Sequence, residues 1–374
     1  MNTTEKIRVL GGSAAHDACS CVCVPRPEAG SNRIGETLNC AVSHSAAPDG
    51  RQISLFKVLM TNACSFDCKY CPNAVTCSTA RTSFGEEELA KAFLNLYMMN
   101  YVEGLFLSSG IAGDPEKSME RMLGAVRLLR NRFMFRGYVH LKVLPGSSRE
   151  QIKEAGELAD RISVNLESPS SSRLSEISSQ KDFRTDIIRR QRWMKRFLPA
   201  SGHSTQFVVG GADESDMEIL NRANWEYQNL SLSKAYYSGF RPLKGTALES
   251  RAPAPHEREL ALYRADFLIR SYSYDLSLLE AISDNGFLPR KDPKFMIALN
   301  LFDSPADINE LGYRDLLKIP GIGHRSASRI TNLQRKGVKI KKRVQLKSMG
   351  VVLSRAEPFL KLSGHSQARL GDFA

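Results

Sequence analysis

Cys64, Cys68 and Cys71 lie in the string MTNACSFDCKYCPNA, spaced Cys-x3-Cys-x2-Cys. Three thiolates this close on one loop can wrap one face of an iron–sulfur cube, but a closed cluster needs four ligands. The missing ligand leaves one iron open, and an open coordination position marks a reactive centre rather than a staple. Zinc fits less well. Zinc sites usually pair Cys-x2-Cys units or mix Cys with His, and no cysteine follows Cys77. A disulfide framework belongs to small secreted domains, not to a chain of 374 residues. Among the other cysteines, Cys19, Cys21 and Cys23 alternate in ACSCVCV, while Cys40 and Cys77 stand alone. Alternation on an extended strand turns neighbouring thiols to opposite faces, so free thiols are a simpler reading than a second cluster.

A second set of residues suits phosphate. In LLKIPGIGHRSASRI, Gly321 and Gly323 flank an apolar residue between two short helical patterns. Their missing side chains would let a phosphate approach the free N–H groups of the next helix start. Arg325 and Ser326 stand where they could reinforce that anion site. The string resembles a helix–hairpin–helix motif, a DNA-backbone binder without sequence preference. Leu346 to Val352 (LKSMGVV) resembles a degenerate second copy, and the link RKGVKIKKR adds phosphate-seeking charge. Residues 314–374 hold 14 Lys/Arg against 3 Asp/Glu, which is +11 of the chain's net +12. A near-neutral body followed by a concentrated basic segment is the footprint of a polyanion-binding module. Regular apolar spacing and glycine turns argue against a disordered basic tail.

The elements that must position the cysteines are strands alternating with helices. Apolar runs at 53–61, 102–108, 138–144, 161–167, 205–210 and 234–240 read as strands. Between them, Ser83 with Glu86 reads as a capping box for a helix carrying Leu89, Phe93, Leu96 and Asn100 on one face. Asp114-Pro115 reads as N-cap and first turn of another helix, with Met119, Met122, Leu123, Val126 and Leu129 turned inward. Ser148 with Gln151 opens a third. Alternation of this kind implies a parallel sheet with right-handed crossovers. Six units predict an α/β fold: a partial (β/α)6 TIM-like barrel with its chemistry at the strand C-terminal ends. The cysteine triad directly follows the first strand. The expected domains are a 1–48 extension, a 49–250 core, a 251–304 helical connection and a small all-α helix–hairpin–helix domain at 305–374.

The triad, with the aromatic Tyr70 before its last cysteine, resembles the radical S-adenosylmethionine (SAM) enzymes. Several stretches resemble in particular the DNA modification/repair radical SAM family: DGRQISLFKVLMTNACSFDCKYC, NYVEGLFLSSGI, YVHLKVLPG, RISVNLESP, GHSTQFVVGG, YYSGFRPL, YRADFLIR, LLKIPGIGHRSASRI and LKSMGVVLSRAEPFL. The likeness covers most of residues 49–362. It implies a 4Fe-4S cluster held by Cys64, Cys68 and Cys71, with S-adenosyl-L-methionine on the open iron. Ser108, Ser109 and Gly110 match the segment that holds the SAM amino group. A carboxylate common there is missing, so hydroxyls and carbonyls would have to accept those bonds. Asn165 and Glu167, on one face at period two, resemble ribose and carboxylate contacts; Glu167 could instead cap the Ser-rich turn that follows. The Gly210-Gly211 pair allows close approach of an adenine. Tyr236, Tyr237 and Arg241 could clamp a ligand, although aromatics on a strand more often build core.

The implied activity is reductive cleavage of SAM to methionine and a 5′-deoxyadenosyl radical, followed by hydrogen abstraction from a substrate at the barrel mouth. The basic module directs that chemistry to nucleic acid, DNA in the family's own terms, with the target base outside the stack. Two alternatives stay open: RNA as substrate, read through its 2′-hydroxyl, and a non-catalytic iron–sulfur protein that binds DNA or senses redox state. An electron donor such as flavodoxin or ferredoxin would be a partner. Hydrophobic content of 42% and charged content of 25% are ordinary for a globular chain. No apolar run approaches the ~18 residues of a membrane span. Reduced thiols and the absence of a secretory h-region lead us to expect a cytoplasmic protein.

Overall fold

The computed structural model describes residues 1–15, 40–46 and 52–362. Cys19, Cys21 and Cys23 lie outside the described residues. Two compact units are present: Met1–Glu214 with Arg222–Pro255, and Ser215–Asn221 with His256–Ala374.

In the first unit, α1 (Thr3–Ala14) precedes β1 (Val42–Ala46) and β2 (Gln52–Leu59). Then alternate α2 (Glu86–Met98), β3 (Gly104–Ser108), α3 (Pro115–Arg127), β4 (Tyr138–Lys142), α4 (Arg149–Leu158) and β5 (Arg161–Ser163). The series closes with α5 (Ser171–Ile177), α6 (Arg189–Met194), β6 (His203–Val209), α7 (Asp216–Leu230, whose residues up to Asn221 group with the second unit) and β7 (Leu232–Gly239). The strands form one seven-stranded sheet in sequential order. Strands β2 to β7 run parallel to one another. A doubly wound sheet reverses its strand order partway. Here each crossover steps the same way, so the helices gather on one face and the sheet curls into a partial barrel. The strand β1, which the sequence pattern did not predict, adds antiparallel to the β2 edge.

Alternation sorts the two faces. Phe56 stacks on Phe93 of α2 with ring centroids 6.5 Å apart, and Phe135 meets Phe93 edge-on at 4.9 Å. The opposite row of β2 carries Lys57, whose Nζ lies 5.6 Å from the Phe106 ring on β3. The helix caps expected at Asp114 and Ser148 are formed by their side chains. The α2 cap is not at Ser83. Ser83 is drawn into a β-bridge with Thr61, and the helix starts after Gly85, whose N–H is taken by Glu88 at 3.2 Å. Asn100 lies past the helix end with φ +58°, so it does not share the buried face of Leu89, Phe93 and Leu96. The fifth strand is shorter than expected: regular pairing stops at Ser163, and Glu167, at φ +64°, keeps only a bridge to Phe207.

The second unit is mainly helical. It contains α8 (His256–Tyr272), α9 (Leu276–Glu280), α10 (Pro293–Leu301), α11 (Tyr313–Lys318), α12 (His324–Arg335), α13 (Arg343–Ser348) and α14 (Leu353–Ala356). A two-residue parallel pair, β8 (Ala306–Asp307) and β9 (Leu360–Lys361), departs from the all-α expectation. Its core gathers Ile308, Leu316, Ile319, Ile322, Ile330 and Phe359, each 1% exposed or less. No helix among the described residues is long and apolar enough to cross a membrane.

Candidate functional site

The three cysteines follow β2 on a loop whose two ends are fastened by one side chain. Arg81 donates from Nη1 to the carbonyls of Asn62 (2.5 Å) and Asn73 (3.0 Å). Its Nη2 reaches the carbonyls of Ala74 (2.7 Å) and Cys77 (2.9 Å). A guanidinium presents a rigid fork of donors, so four loop carbonyls are fixed by one planar group. Asn62 adds two bonds, accepting from the Thr82 N–H at 2.8 Å and donating to the Ala80 carbonyl at 2.8 Å. On the other side, the Asp67 carboxylate accepts from the Ser178 hydroxyl (2.9 Å) and the Ser179 N–H (3.1 Å), tying the loop to the end of α5.

The thiols themselves are sheltered. Cys68 is buried, Cys64 and Cys71 are half-buried, and the Phe66 N–H points at the Cys64 sulfur at 3.4 Å. Burial pushes the Cys71 thiol up to about 12 and raises Cys68 as well, the latter opposed by the charge of Lys181. Bare thiols so placed stay protonated near neutrality, whereas iron ligation takes the thiolate form. Beside them, Lys181 Nζ meets Glu167 Oε1 at 3.0 Å, both side chains under 10% exposed. The Tyr70 phenol is held well above its usual range by burial, then by the Glu167 charge. Burial works against the charge on Lys181, but the sulfur of Cys68 and the Glu167 carboxylate together hold it strongly protonated. Glu167 Oε2 is buried with no hydrogen-bond partner among the described residues. A buried carboxylate oxygen left open beside three thiols is the mark of a site built to receive a further group.

Among the described residues, no three His, Cys, Asp or Glu side chains converge on a single metal ion. In a cube each cysteine binds its own iron, and three soft thiols are its donor set. The residues therefore fit a three-cysteine cluster with one further ligand.

The Ser108–Gly110 segment lies against the loop's root. The Ser108 carbonyl accepts the Met60 N–H at 2.7 Å, and the Gly110 N–H donates to the Thr61 carbonyl at 2.7 Å. A Cβ on Gly110 would overlap the Ala63 carbonyl oxygen, so glycine is required there by the cluster loop itself. The Ser109 hydroxyl donates to the Gly110 carbonyl at 2.7 Å. Asn165 accepts a hydrogen bond from Lys142, so the structure gives it a protein partner on the fourth parallel strand's neighbour. Gly210 has φ +82°, and its carbonyl accepts Arg251 Nε at 2.9 Å, while Gly211 approaches the Val208 side chain. Tyr237 is fully buried and stacks on Phe207 at 5.9 Å, a core role; Tyr236 lies 4.9 Å under Lys234 Nζ. Sequence reasoning missed Arg81, Asp67 and Lys181. Lone charged residues on irregular loops carry no periodic or spacing signal.

In the second unit, α11 and α12 flank a hairpin at residues 319–323. Gly321 turns it at φ +82°, and Gly323 is the extended N-cap of α12. The absent Gly321 side chain serves packing rather than phosphate approach. A Cβ there would overlap the Val352 carbonyl oxygen, and the Gly321 carbonyl accepts the Val352 N–H at 2.9 Å. The second turn, with Gly350 at φ +86°, faces α12 in return: Arg329 Nη1 donates to the Met349 carbonyl at 3.2 Å. Ser326 is 4% exposed beneath Gly350, so its hydroxyl is not offered to an anion at the helix start. Arg325 is exposed. An unforeseen lysine, Lys294, donates from beneath Tyr272 to the Ile322 carbonyl at 2.8 Å. Burial, reinforced by the Arg355 charge, brings it down to about 8.

Residues 58–225 match the family model of the Radical SAM superfamily. The superfamily's cofactors are a 4Fe-4S cluster and S-adenosylmethionine. No curated protein matches the chain. Solved structures similar to it include the FeFe-hydrogenase maturase HydG from Carboxydothermus hydrogenoformans, at 13% identity and TM-score 0.46, over 56% of this chain and 50% of that one. Methylornithine synthase (PylB) aligns at 14% identity and TM-score 0.46, over 56% and 60%. A radical SAM methyltransferase from Sphaerobacter thermophilus aligns at 12% identity and TM-score 0.40, over 54% and 63%. The chain thus spans between half and two thirds of these structures' lengths.

Proposed function

We propose that the protein is a radical SAM enzyme that modifies or repairs nucleic acid, DNA in the first instance. The observation that carries the enzymatic part is the sheltered triad beside Glu167 and Lys181, at the C-terminal end of the first parallel strand. When bound, the cluster and SAM supply a carbon-centred radical able to take hydrogen from an unactivated position. The chain's own residues bind, orient and shield. Cys64, Cys68 and Cys71 would each hold one iron. Arg81 and Asp67 keep the loop in one shape, and the burial of Cys68 excludes water from the reacting side. Ser108, Ser109 and Gly110 would accept from the SAM amino group. Glu167, with one oxygen engaged by Lys181, would offer the other to a donor on the ligand, and Gly210-Gly211 would flank the adenine.

The nucleic-acid part rests on the second unit. Its paired hairpins present the exposed Arg325 and a basic link, Arg335, Lys336, Lys339, Lys341 and Lys342, all exposed. Such a surface suits phosphate backbones without base readout. An electron donor of the flavodoxin or ferredoxin type would complete the system.

The deciding experiment is anaerobic incubation of reduced, cluster-reconstituted protein with SAM, with and without DNA or RNA. We expect 5′-deoxyadenosine, increased by DNA and carrying deuterium from labelled DNA. Its absence under several reductants sinks the enzymatic reading. Label transfer from RNA alone replaces DNA by RNA as substrate.

A further inference from the structure

Four aromatic rings from three helices form a row on the second unit. Phe267 and Tyr272 belong to α8, Tyr313 opens α11 and His324 opens α12. Ring centroids stand 5.7 Å apart from Phe267 to Tyr272, 4.7 Å from Tyr272 to His324 and 6.2 Å from His324 to Tyr313. Hydrogen bonds fix two of the rings. The Ser271 carbonyl can only accept, so His324 Nε2 donates to it at 2.6 Å. A neutral His324 then accepts the Tyr313 hydroxyl at Nδ1, 2.8 Å away. These planes are held in place before any ligand arrives.

The same rings stand in water. Phe267 is 51% exposed and Tyr313 37%, His324 is exposed as well, and Tyr272 is half-buried. Burying a large apolar side chain is worth about 1.5–3 kcal/mol, and the outer rings forgo most of that gain. Exposed cations surround them: Arg264 one turn before Phe267 on α8, Arg314 beside Tyr313 and Arg325 beside His324. Aromatic planes set among guanidinium groups match an unpaired strand, whose bases offer open π-faces and whose phosphates offer negative charge. An intact duplex keeps those π-faces covered by its own stacking.

We propose that this row is a stacking platform for an unpaired stretch of nucleic acid, DNA in the first instance. Bases lie on Phe267, His324 and Tyr313, and phosphates meet Arg264, Arg314 and Arg325. The proposal rests on the nucleic-acid reading of the second unit and narrows it: single strands and opened duplexes are preferred to intact duplex. That preference suits radical chemistry on a base taken out of the stack. Every base has a π-face, so the platform adds affinity without reading sequence.

The test is fluorescence anisotropy on the full, cluster-reconstituted chain at fixed moderate salt. Three labelled probes are compared: an oligothymidylate of ~12 nucleotides, an abasic strand of the same length and a duplex of the same length. We expect the oligothymidylate to bind roughly tenfold more tightly than either of the others. Phe267→Ala and Tyr313→Ala should each remove most of that advantage and leave the affinity for the abasic strand unchanged. Phe287→Ala, at another exposed ring that lies under Arg258 instead, should alter none of the three. Should the variants fail to fold, the wild-type chain still decides: 2-aminopurine placed in the thymidylate strand should be quenched on binding. Equal affinity for oligothymidylate and abasic strand, tighter binding of the duplex, unaltered binding by both variants, or unquenched 2-aminopurine would each overturn the proposal. Duplex binding without a single-strand preference sinks this proposal alone, whereas no binding of any probe sinks the nucleic-acid reading with it.

Discussion

Glu226 on α7 is fully buried, and neither carboxylate oxygen has a hydrogen-bond partner among the described residues. Arg222 Nη1 stands 3.9 Å away, too far for a hydrogen bond. Burial raises the carboxyl from 4.5 to about 8, with Arg222 opposing. The folded chain thus keeps a proton that the unfolded chain releases near pH 4.5. Between those values the unfolded state binds fewer protons, so stability falls as pH rises, and the full cost stands above about pH 8. Glu226→Gln should flatten that slope and raise the denaturant midpoint at pH 9, by an amount on the order of a few kcal/mol, with little change at pH 5. An unchanged slope would mean that Glu226 ionises at its ordinary value. Residues of this kind were invisible in the sequence, where Glu226 reads as one more polar residue on an amphipathic helix. The cysteines were legible because their spacing alone encodes the chemistry; Lys181 was not, since its meaning arises only when the chain folds it onto Glu167.

At the scale of elements, the hairpins of the second unit are locked through backbone conformation. Gly321 combines a left-handed φ with a Cβ position taken by the Val352 carbonyl. Gly321→Ala therefore incurs both backbone strain and a clash, and should destabilise the second unit by about 2 kcal/mol, read as an earlier denaturation midpoint. A variant as stable as the parent would show that the two turns are not packed together. The helix–turn–helix pattern was readable from Pro320 and its glycines, but the purpose of the glycines was not. The first turn was read as open to a phosphate, whereas the space a Gly321 side chain would take is held by the Val352 carbonyl. Strand boundaries slipped for a related reason. The run at 161–167 looks extended throughout, yet Glu167 leaves the extended region to reach Lys181, and tertiary pairing overrides local pattern. The edge strand β1 had no alternating apolar signal (its sequence is VSHSA) and was missed.

Across the whole molecule, charge is divided unequally along the chain. The C-terminal 61 residues carry +11, and the exposed link on α12 and beyond holds much of it. Replacing Arg325, Lys336, Lys339 and Lys341 by glutamine should weaken duplex DNA binding and lower the slope of log affinity against log salt by about 3 to 4. Iron content and cluster absorbance should be unchanged. An unaltered slope would place the nucleic-acid surface elsewhere. The barrel class was legible because alternating strands and helices leave few topologies, and right-handed crossovers select among them.

The grip of Arg81 on four loop carbonyls bears on how the protein survives oxygen. The cysteine loop is fastened by a guanidinium and by Asp67 through hydrogen bonds to the rest of the chain. Damage that strips the metal would leave the cradle standing, and reloading would require only new iron and sulfide, with no refolding of the chain around them.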